Sequence, residues 1–303
     1  MTIMFLTFGQ KTEYHVQAYL SMLSFRRQAT AQDHFVMVTT APEFYRHAQS
    51  WAEIVTITDE QVQQWQGKHQ YMFRVKTIAL CKQVEAHPDD HLLFVDTDTV
   101  LYGDLQQMRE VLDQGTGLLH RNEGHPSQMK GPSQQMWKTV KGNTYGNITL
   151  GDTHCMWNSG IIGIPRKKMK QIADDTLMLL DRMLDDGVKS FNIEQYAMSV
   201  AMQAHVSLEE AYPYVAHYWA SKECWVNAGM ELLSRVLLTN ATEEEEMRLF
   251  EQLDLSKLPI NVHHSNTGRR LHNLVGKAFP DRHVHYLDNS ELAEPDQQDD
   301  NDL

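Results

Sequence analysis

The amino-acid sequence predicts an α/β protein, in which a mostly parallel β-sheet carries helices on both of its faces. Two observations lead to this fold class. Short apolar runs, typical of buried strands, alternate along the chain with segments whose apolar residues recur at helical spacing. A strand–helix–strand order implies parallel strands, because each helix returns the chain to the same edge of the sheet. With 303 residues, 42% of them hydrophobic, the chain can bury the core of one large domain.

The first hundred residues supply four strands and the helices between them. The strands are expected at residues 3–8, 34–39, 52–57 and 91–95. Gly9 ends the first strand and Pro42 follows the second, as suits residues that interrupt strand pairing. Apolar residues from Val16 to Leu23 recur at helical spacing, and a helix over residues 71–86 leads into the fourth strand.

The rest of the chain predicts further helices and three short strands. Helices are expected at residues 106–112, 168–186, from 193 onwards, 225–238 and 241–253, and strands at 117–120, 161–164 and 215–218. Asn192 is expected to cap the helix that begins at 193, with Gln195 at its third position. Residues 121–151 are rich in Gly, Pro, Ser, Asn and Gln, which predicts a long loop. That loop would be either a lid on the acceptor side of a site or a mobile surface insertion.

Charge and cysteine content limit the possible functions. The net charge of −13 argues against a protein that binds nucleic-acid backbones. The three cysteines, Cys81, Cys155 and Cys224, have no CxxC spacing, so neither a cysteine zinc site nor a disulfide framework is expected. A reducing, cytoplasmic location fits this cysteine usage. The N-terminus lacks the basic region of a signal peptide, and no apolar run reaches transmembrane length.

The C-terminal end differs in composition from the rest of the chain. Residues 291–303 are acidic and almost free of apolar side chains, which predicts a disordered tail. The sequence contains no internal repeat. We therefore expect one folded domain over residues 1–290, followed by the acidic tail.

Asp96 and Asp98, directly after the fourth strand, are the first candidates for a functional site. Side chains two residues apart in an extended chain face the same way, so both carboxylates are expected at the carboxyl edge of the sheet. Two carboxylates this close repel each other unless a cation lies between them, and Mg²⁺ takes carboxylate and phosphate oxygens as ligands. The pair therefore indicates a metal and nucleotide-diphosphate site, although a polar turn after a strand gives the same pattern.

Three segments, in this order along the chain, resemble those of nucleotide-sugar glycosyltransferases with the GT-A fold, of the glycogenin and bacterial galactosyltransferase type. Phe94-Val-Asp-Thr-Asp-Thr-Val100 resembles that family's Phe-x-Asp-x-Asp-x-x segment. Trp157-Asn-Ser-Gly-Ile-Ile162 is similar to its Phe-Asn-Ser-Gly-Val segment. His217-Tyr-Trp-Ala-Ser-Lys-Glu-Cys-Trp225 is similar to its His-x-x-Gly-x-x-Lys-Pro-Trp segment, but lacks the Gly and the Pro, and its Lys comes one residue early. The resemblance covers residues 1–225 and implies a GT-A-like, Rossmann-type sheet.

The resemblance also implies which residues hold a metal ion and which act on the sugar. Asp96, Asp98 and His217 would hold Mn²⁺ or Mg²⁺, and His264 is the alternative to His217. Glu194 and Gln195 stand where that family has an Asp-Gln pair beside the transferred sugar, and they are the implied catalytic residues.

Further residues are expected to contact the nucleotide-sugar donor. They are Thr7, Phe8, Arg74, Lys76, Asp96, Thr97, Asp98, Asn158, Ser159 and Lys222. For Arg74 and Lys76, which open a helix, a solvated helix face is the alternative. A lysine would act on a diphosphate as a point charge.

The implied function is metal-dependent transfer of a sugar from a nucleotide diphosphate, by resemblance UDP, to an acceptor hydroxyl, with retention of configuration favoured. An inverting enzyme would need a base, for which Glu194 is the candidate. The acceptor would be a glycan, a lipid-linked sugar or a protein. Two alternatives stay open. One is a sugar-nucleotide nucleotidyltransferase, although the segment after the first strand has Gly9 alone where such an enzyme usually has a Gly-rich loop. The other is a non-catalytic binder of nucleotide sugars.

Overall fold

The computed structural model describes residues 1–261 together with residues 271, 274 and 275. The strands of this part are β1 (Thr2–Thr7), β2 (His34–Thr39), β3 (Ala52–Thr56), β4 (Leu92–Val95), β5 (Thr99–Leu101), β6 (Gly117–Gly124), β7 (Thr144–Tyr145), β8 (Ile148–Thr149), β9 (Met156–Ile164), β10 (Leu208–Glu210) and β11 (Val215–His217). Its α-helices are α1 (Thr12–Arg26), α2 (Asp59–Trp65), α3 (Arg74–Ala86), α4 (Leu105–Asp113), α5 (Pro132–Val140), α6 (Met169–Asp185), α7 (Ile193–His205), α8 (Lys222–Thr239) and α9 (Glu243–Glu251). Short 3₁₀ helices lie at Pro42–Ala48, Pro126–Gln128, Arg166–Lys168 and Leu255–Lys257.

Seven of the strands form the central sheet, in the order β10-β6-β9-β4-β1-β2-β3. The pairs β4–β1, β1–β2 and β2–β3 are parallel, as is the pair β6–β10. Strand β9 runs antiparallel to both of its neighbours, β4 and β6. The predicted mixed, mostly parallel sheet is confirmed.

Helices cover both faces of this sheet because its strands are apolar on both sides. Met4 and Phe94 face the side covered by α3, α6 and α7. Ile3, Phe5 and Val95 face the opposite side, covered by α1, α4 and α8. Each of these side chains is almost fully buried, and burying one of this size contributes about 1.5–3 kcal/mol. Strands buried on both faces are typical of parallel sheets.

Residues 121–151 are not the irregular loop that their composition predicted. Strand β6 continues to Gly124, and helix α5 and the β7–β8 hairpin follow it. Helix α5 begins at Pro132, which suits the first turn of a helix, and buries Met136, Trp137 and Val140. Polar residues dominate the segment, but these apolar ones are spaced to share one helix face, and burial on the core decided the outcome.

Two local expectations differ from the structure because contacts with distant parts of the chain decided the conformation. Asn192 makes no capping bond to α7 within the described residues; its amide donates to Ser133 Oγ at 2.7 Å. The strand expected at residues 161–164 begins earlier, at Met156, since pairing with β4 and β6 extends β9 towards its amino end and includes residues 158–160.

Residues 1–261 form one compact unit. His264 and residues 291–303 lie outside the described residues, so the alternative metal ligand, the acidic tail and a domain boundary at residue 290 stay predictions. Among the residues that the structure describes, no helix combines the length and the apolar character needed to cross a bilayer.

Asp33 ties the turn before β2 to helix α4. Its side chain is fully buried; both carboxylate oxygens accept from Arg109 Nη2, at 2.6 and 2.7 Å, and one accepts from the Thr30 amide at 2.8 Å. Burial opposes ionisation, but the Thr30 amide and the Arg109 guanidinium outweigh it and hold the pKa of Asp33 below its usual value.

We expect Asp33→Asn to lower the free energy of unfolding by about 2 kcal/mol at pH 7, because a buried charge-assisted contact is lost. A carboxyl whose pKa is lower in the folded state stabilises the fold above its unfolded pKa of about 3.9, and this contribution is lost as the pH falls through the folded value. Urea unfolding at pH 7 and pH 3 should therefore show a smaller difference between wild type and variant at pH 3. A difference that does not depend on pH would contradict the assigned charge.

Candidate metal and donor site

The connection between β4 and β5 holds Asp96 and Asp98 at the carboxyl edge of the sheet. Strand β4 ends at Val95, and the Asp96 amide then donates to Gly160 O of β9 at 2.9 Å. Thr99 Oγ1 donates to Asp96 O at 2.7 Å and closes the turn into β5. Backbone contacts on both sides therefore fix the direction in which the two carboxylates leave the chain.

His217 reaches the same place through a second, two-stranded sheet. Strand β11 runs antiparallel to β5 and pairs His217 with Thr99, the residue after Asp98. The Tyr218 amide donates to Asp98 O at 2.9 Å, and Tyr218 stacks on Trp225 of α8 with ring centroids 4.3 Å apart. As a result, His217 Nε2 lies 3.2 Å from Asp98 Oδ1. One ligand atom from each of Asp96, Asp98 and His217 lies within 4.8 Å of the other two.

Asn158 of β9 orients the His217 ring. Asn158 Oδ1 lies 3.0 Å from the Gly160 amide, which can only donate, so the atom at this position is the carbonyl oxygen of Asn158. The same oxygen lies 3.2 Å from His217 Nδ1, which must then carry the hydrogen of that contact. In the neutral ring, Nε2 would then present a lone pair to Asp98, so either a proton on this nitrogen or a cation must lie between the two acceptors. A metal-binding histidine usually has its other ring nitrogen bonded in this way.

Gly160 gives the His217 ring its space. A β-carbon at this position would lie 2.5 Å from His217 Nδ1 and 2.6 Å from Cε1, closer than side chains approach one another. Only glycine at position 160 leaves room for the His217 ring in this position. The Asn-Ser-Gly segment by itself does not reveal this requirement, because His217 lies far along the chain.

Lys222, at the start of α8, also contacts Asp98. Its Nζ lies 2.7 Å from Asp98 Oδ2, and its side chain is 45% exposed. Burial opposes ionisation of Asp98, but His217 and Lys222 outweigh it and hold the pKa of Asp98 well below its usual range. Burial instead raises the pKa of Asp96, against the opposing charge of Lys76. The two carboxylates thus have unequal surroundings, and those of Asp98 favour its ionised form more strongly than those of Asp96 do.

Lys76, in the first turn of α3, is the central cation of the site. Its Nζ donates to Ser159 O at 2.7 Å and lies 3.3 Å from Asp96 Oδ1 and 3.8 Å from Glu194 Oε1. The ammonium also lies 4.6 Å from the centre of the Phe94 ring. Burial favours the neutral amine, but the neighbouring carboxylates outweigh it and raise the pKa of Lys76, so the side chain stays charged. Lys76 is not on a solvated helix face.

Glu194, in the first turn of α7, is buried beside Lys76 and Ser159. Ser159 Oγ donates to Glu194 Oε2 at 3.2 Å, and the Glu194 amide donates to Tyr71 OH at 3.4 Å. Burial raises the pKa of Glu194, against the opposing charge of Lys76. Its Oε1 has no hydrogen-bond partner among the described residues, and Lys76 Nζ, at 3.8 Å, is a nearby cation.

Glu123 contacts two of the candidate site residues, and the sequence did not single it out. Its two carboxylate oxygens accept from Asn158 Nδ2 at 3.2 Å and from Gln195 Nε2 at 2.9 Å, so it joins β9 to α7. It lies near the end of β6, in a stretch expected to be a loop, and an isolated glutamate there gave no signal. His120, also unpredicted, lies with its ring 5.2 Å from that of His217, and burial lowers its pKa to about 4.

The remaining predicted donor residues lie outside this network of contacts or at its edge. Arg74 donates from Nε and Nη2 to the two oxygens of Asp181 on α6, at 2.7 and 2.9 Å. Thr7 is buried and bonds to Thr39 Oγ1 at 2.9 Å, and Phe8 packs against the core. Thr97 O lies 3.4 Å from Tyr218 OH. Their contacts with a donor stay predictions.

One family of known proteins matches part of the chain. Residues 5–148 match the family described as the Rhodobacterales glycosyltransferase domain, a stretch that contains Lys76, Asp96 and Asp98. No curated protein sequence matches. The match supports a glycosyltransferase, the class that the three sequence segments had predicted.

Solved structures of glycosyltransferases resemble the chain at low sequence identity. The bifunctional glycosyltransferase WbbM is 18% identical, with a TM-score of 0.45 over 70% of this chain, which spans 39% of the WbbM chain. The galactosyltransferase LgtC, solved with donor and acceptor sugar analogues, is 13% identical, with a TM-score of 0.47 over 70% of this chain and 74% of its own. Mouse xyloside xylosyltransferase 1 is 11% identical, with a TM-score of 0.45 over 69% of this chain and 85% of its own.

Proposed function

We propose that the protein transfers a sugar from a nucleotide diphosphate, by resemblance UDP, to an acceptor hydroxyl, and that the transfer depends on Mn²⁺ or Mg²⁺. The observation that carries this proposal is the cluster of Asp96, Asp98 and His217 at the carboxyl edge of a GT-A-like sheet. Ligands of open α/β sheets bind at that edge. His217 Nε2 lies 3.2 Å from Asp98 Oδ1, and a cation between these two atoms would stabilise their approach.

The donor atoms fit a divalent ion. Asp96 and Asp98 offer the oxygens that Mg²⁺ and Mn²⁺ prefer, and His217 adds one imidazole nitrogen. When bound, such an ion would stabilise negative charge on the donor's diphosphate. Lys222 is half-exposed and lies against Asp98, so it can turn from this carboxylate towards a diphosphate oxygen.

The residues on the sugar side are held by contacts among themselves. Glu123 holds the amides of Asn158 and Gln195, and these amides are the groups proposed to orient the donor sugar through its hydroxyls. The Ser159 hydroxyl links the Lys76 and Glu194 side chains, since it accepts from Lys76 Nζ and donates to Glu194 Oε2. Side chains locked by such contacts keep their geometry when a substrate binds, which is what positioning requires.

The surroundings of Glu194 favour retention of configuration. Its residue is only 4% exposed, and its carboxylate is directed at Lys76 and Ser159. An inverting enzyme needs a base that reaches the acceptor hydroxyl, and a carboxylate engaged in this way is poorly placed for it. In a retaining transfer, the proposed part of Glu194 and Gln195 is to line the face of the donor sugar at which the new bond forms.

The proposal is tested by incubating the purified chain with a panel of nucleotide sugars and Mn²⁺, Mg²⁺ or EDTA, and measuring free nucleoside diphosphate. We expect its release with one or more UDP-sugars, in the presence of metal and an acceptor or water. Pyrophosphate formed from sugar phosphate and nucleoside triphosphate would instead identify a nucleotidyltransferase. Metal-dependent thermal stabilisation without turnover would identify a binder.

A second test uses the contact between Gly160 and His217. We expect Gly160→Ala to weaken Mn²⁺ binding and donor turnover by about 10- to 100-fold, because the new methyl group displaces the His217 ring. Gly151→Ala is the matched control, since no described atom lies within 4 Å of the methyl group that it would add. The measurements are Mn²⁺ titration calorimetry and nucleoside diphosphate release. Equal Mn²⁺ affinity in the two variants would argue against His217 as a ligand.

A further inference from the structure

A second cluster of metal-ligating side chains lies at the opposite edge of the sheet. His34 is the first residue of β2, Glu53 is the second residue of β3, and His87 directly follows α3. Strands β1, β2, β3 and β4 are parallel, and Asp96 follows the carboxyl end of β4. His34 and Glu53 therefore lie at the amino ends of their strands, about 20 Å from the donor site if measured along a six-residue strand.

The sheet pairing directs the first two side chains to one face. Glu53 pairs with Val36, and His34 precedes Val36 by two residues, so all three share a face of the sheet. Val36 packs in the cluster that α3 covers, so this is also the face on which α3 ends. Three separate elements thus bring their polar side chains to a single point.

The atoms that meet there are two imidazole nitrogens and one carboxylate oxygen. Glu53 Oε2 lies 3.0 Å from His34 Nε2 and 3.9 Å from His87 Nε2. The two histidine rings have centroids 4.7 Å apart and stand edge to face. One ligand atom from each residue lies within 4.8 Å of the other two. Ligands of a tetrahedral zinc ion at ordinary bond lengths are about 3.4 Å apart, so the cluster needs only small side-chain movements to hold one.

We propose that His34, Glu53 and His87 form a second metal site, selective for Zn²⁺ or a similar late first-row ion. Two imidazoles with one carboxylate suit Zn²⁺, whereas Mg²⁺ prefers oxygen ligands. The side chains are 41%, 47% and 19% exposed, so an ion can enter from solvent and keep water as a fourth ligand. A bound ion would link β2, β3 and the end of α3, and would stabilise the folded chain without taking part in transfer.

The contacts alone also fit a simpler arrangement without a metal ion, in which Glu53 pairs with His34 at 3.0 Å and only lies near His87, at 3.9 Å. Zinc binding distinguishes the two, so the test measures Zn²⁺ bound per chain after dialysis of the full chain against micromolar ZnCl₂. The chain used for this measurement carries Asp98→Asn and the buffer contains Mg²⁺, so that the donor site binds little of the Zn²⁺ that is measured. In this background we compare His34→Gln, Glu53→Gln and His87→Gln, with circular dichroism to show that each variant is folded.

The matched control is His69→Gln. His69 Nε2 lies 2.7 Å from Asp185 Oδ1 and its side chain is 36% exposed, so it is also a surface histidine paired with a carboxylate, but it belongs to no cluster of three among the described residues. We expect the parent and the control to bind one more Zn²⁺ per chain than each of the three cluster variants. Zn²⁺ should also raise the melting temperature of the parent and of the control by more than it raises that of the cluster variants. Co²⁺ should give the visible absorption of a four-coordinate ion in the parent and the control alone.

Equal Zn²⁺ binding by the parent and the His87→Gln variant would overturn this site. In the otherwise wild-type chain, metal-dependent release of nucleoside diphosphate should be unchanged by the cluster substitutions. If the proposed transfer reaction is wrong, the activity measurement will show it, and the amount of Zn²⁺ bound per chain will not be affected.

Discussion

Asp98→Asn will abolish metal-dependent sugar transfer while leaving the fold intact. The substitution keeps the shape of the side chain and removes the carboxylate that faces His217 and Lys222. The metal site then loses one of its two negative charges, and charge stabilisation of this kind is worth several kcal/mol. A loss of about 4 kcal/mol corresponds to a fall of roughly 10³-fold in turnover. The measurement is nucleoside diphosphate release as a function of Mn²⁺ concentration.

The same substitution will also lower stability in the absence of metal. By sequence alone, two adjacent carboxylates repel each other, and removing one would relieve the fold. In the structure, the surroundings of Asp98 favour its ionised form, so asparagine forfeits that interaction, at a cost of about 2 kcal/mol. Urea unfolding in EDTA measures this difference.

Two further variants complete the comparison. His217→Ala should give a milder loss of transfer, since the two carboxylates remain. Asp152→Asn removes an aspartate whose side chain is 79% exposed and which contacts Lys141 instead of the site, so it should behave as wild type. Full activity of Asp98→Asn at low Mn²⁺ would exclude the metal-dependent mechanism.

Lys76→Met will lower both stability and transfer, because it leaves the buried carboxylate of Glu194 and the partly exposed carboxylate of Asp96 without their cation. Asp96 and Glu194 lie 3.3 and 3.8 Å from the ammonium, and burial already raises the pKa of both. Removing one partner of a buried ionic group costs about 3–5 kcal/mol. We expect a loss of that size in the free energy of unfolding, together with loss of donor turnover. Urea unfolding and nucleoside diphosphate release measure the two effects.

A double variant separates the two effects of Lys76. Adding Glu194→Gln to Lys76→Met removes one of the two uncompensated carboxylates, so stability should recover in part while transfer stays lost. Lys82→Met is the matched control, since this lysine lies on the same helix but is exposed, and its effect should stay within about 0.5 kcal/mol. If Lys76→Met costs no more than this control, the buried ionic network is wrongly assigned.

The position of Asp96 and Asp98 at the end of a strand could be predicted because every feature that defines it is local. An apolar run followed by Asp96 and Asp98 places two carboxylates at a strand end, and the carboxyl ends of parallel strands lie at one edge of the sheet. The sheet itself follows from the alternation of apolar strands with helical segments, which needs no long-range information. Residues 121–151 show the limit of this reading, since their composition predicted a loop and burial of Trp137 produced a helix.

Arg74 and Lys76 show what sequence could not decide. Both are basic residues in the first turn of α3, two positions apart, and both were candidates for contact with the donor. Residues two apart on a helix point in different directions. Consequently, Lys76 lies against Asp96 and Glu194, while Arg74 pairs with Asp181 on α6.

By itself, the sequence determined the α/β fold class, the positions of most strands and helices, and the acidic pair at the carboxyl edge, because these depend on periodicity and on neighbours within a few residues. Only the tertiary structure decided which side chains from distant segments share the site. Glu123 holds Asn158 and Gln195, Gly160 makes room for His217, and Lys76 lies between two carboxylates, as strand pairing and helix packing bring them together. The approach of His34, Glu53 and His87 was likewise decided by the sheet, since no spacing in the chain signals that three such residues will meet.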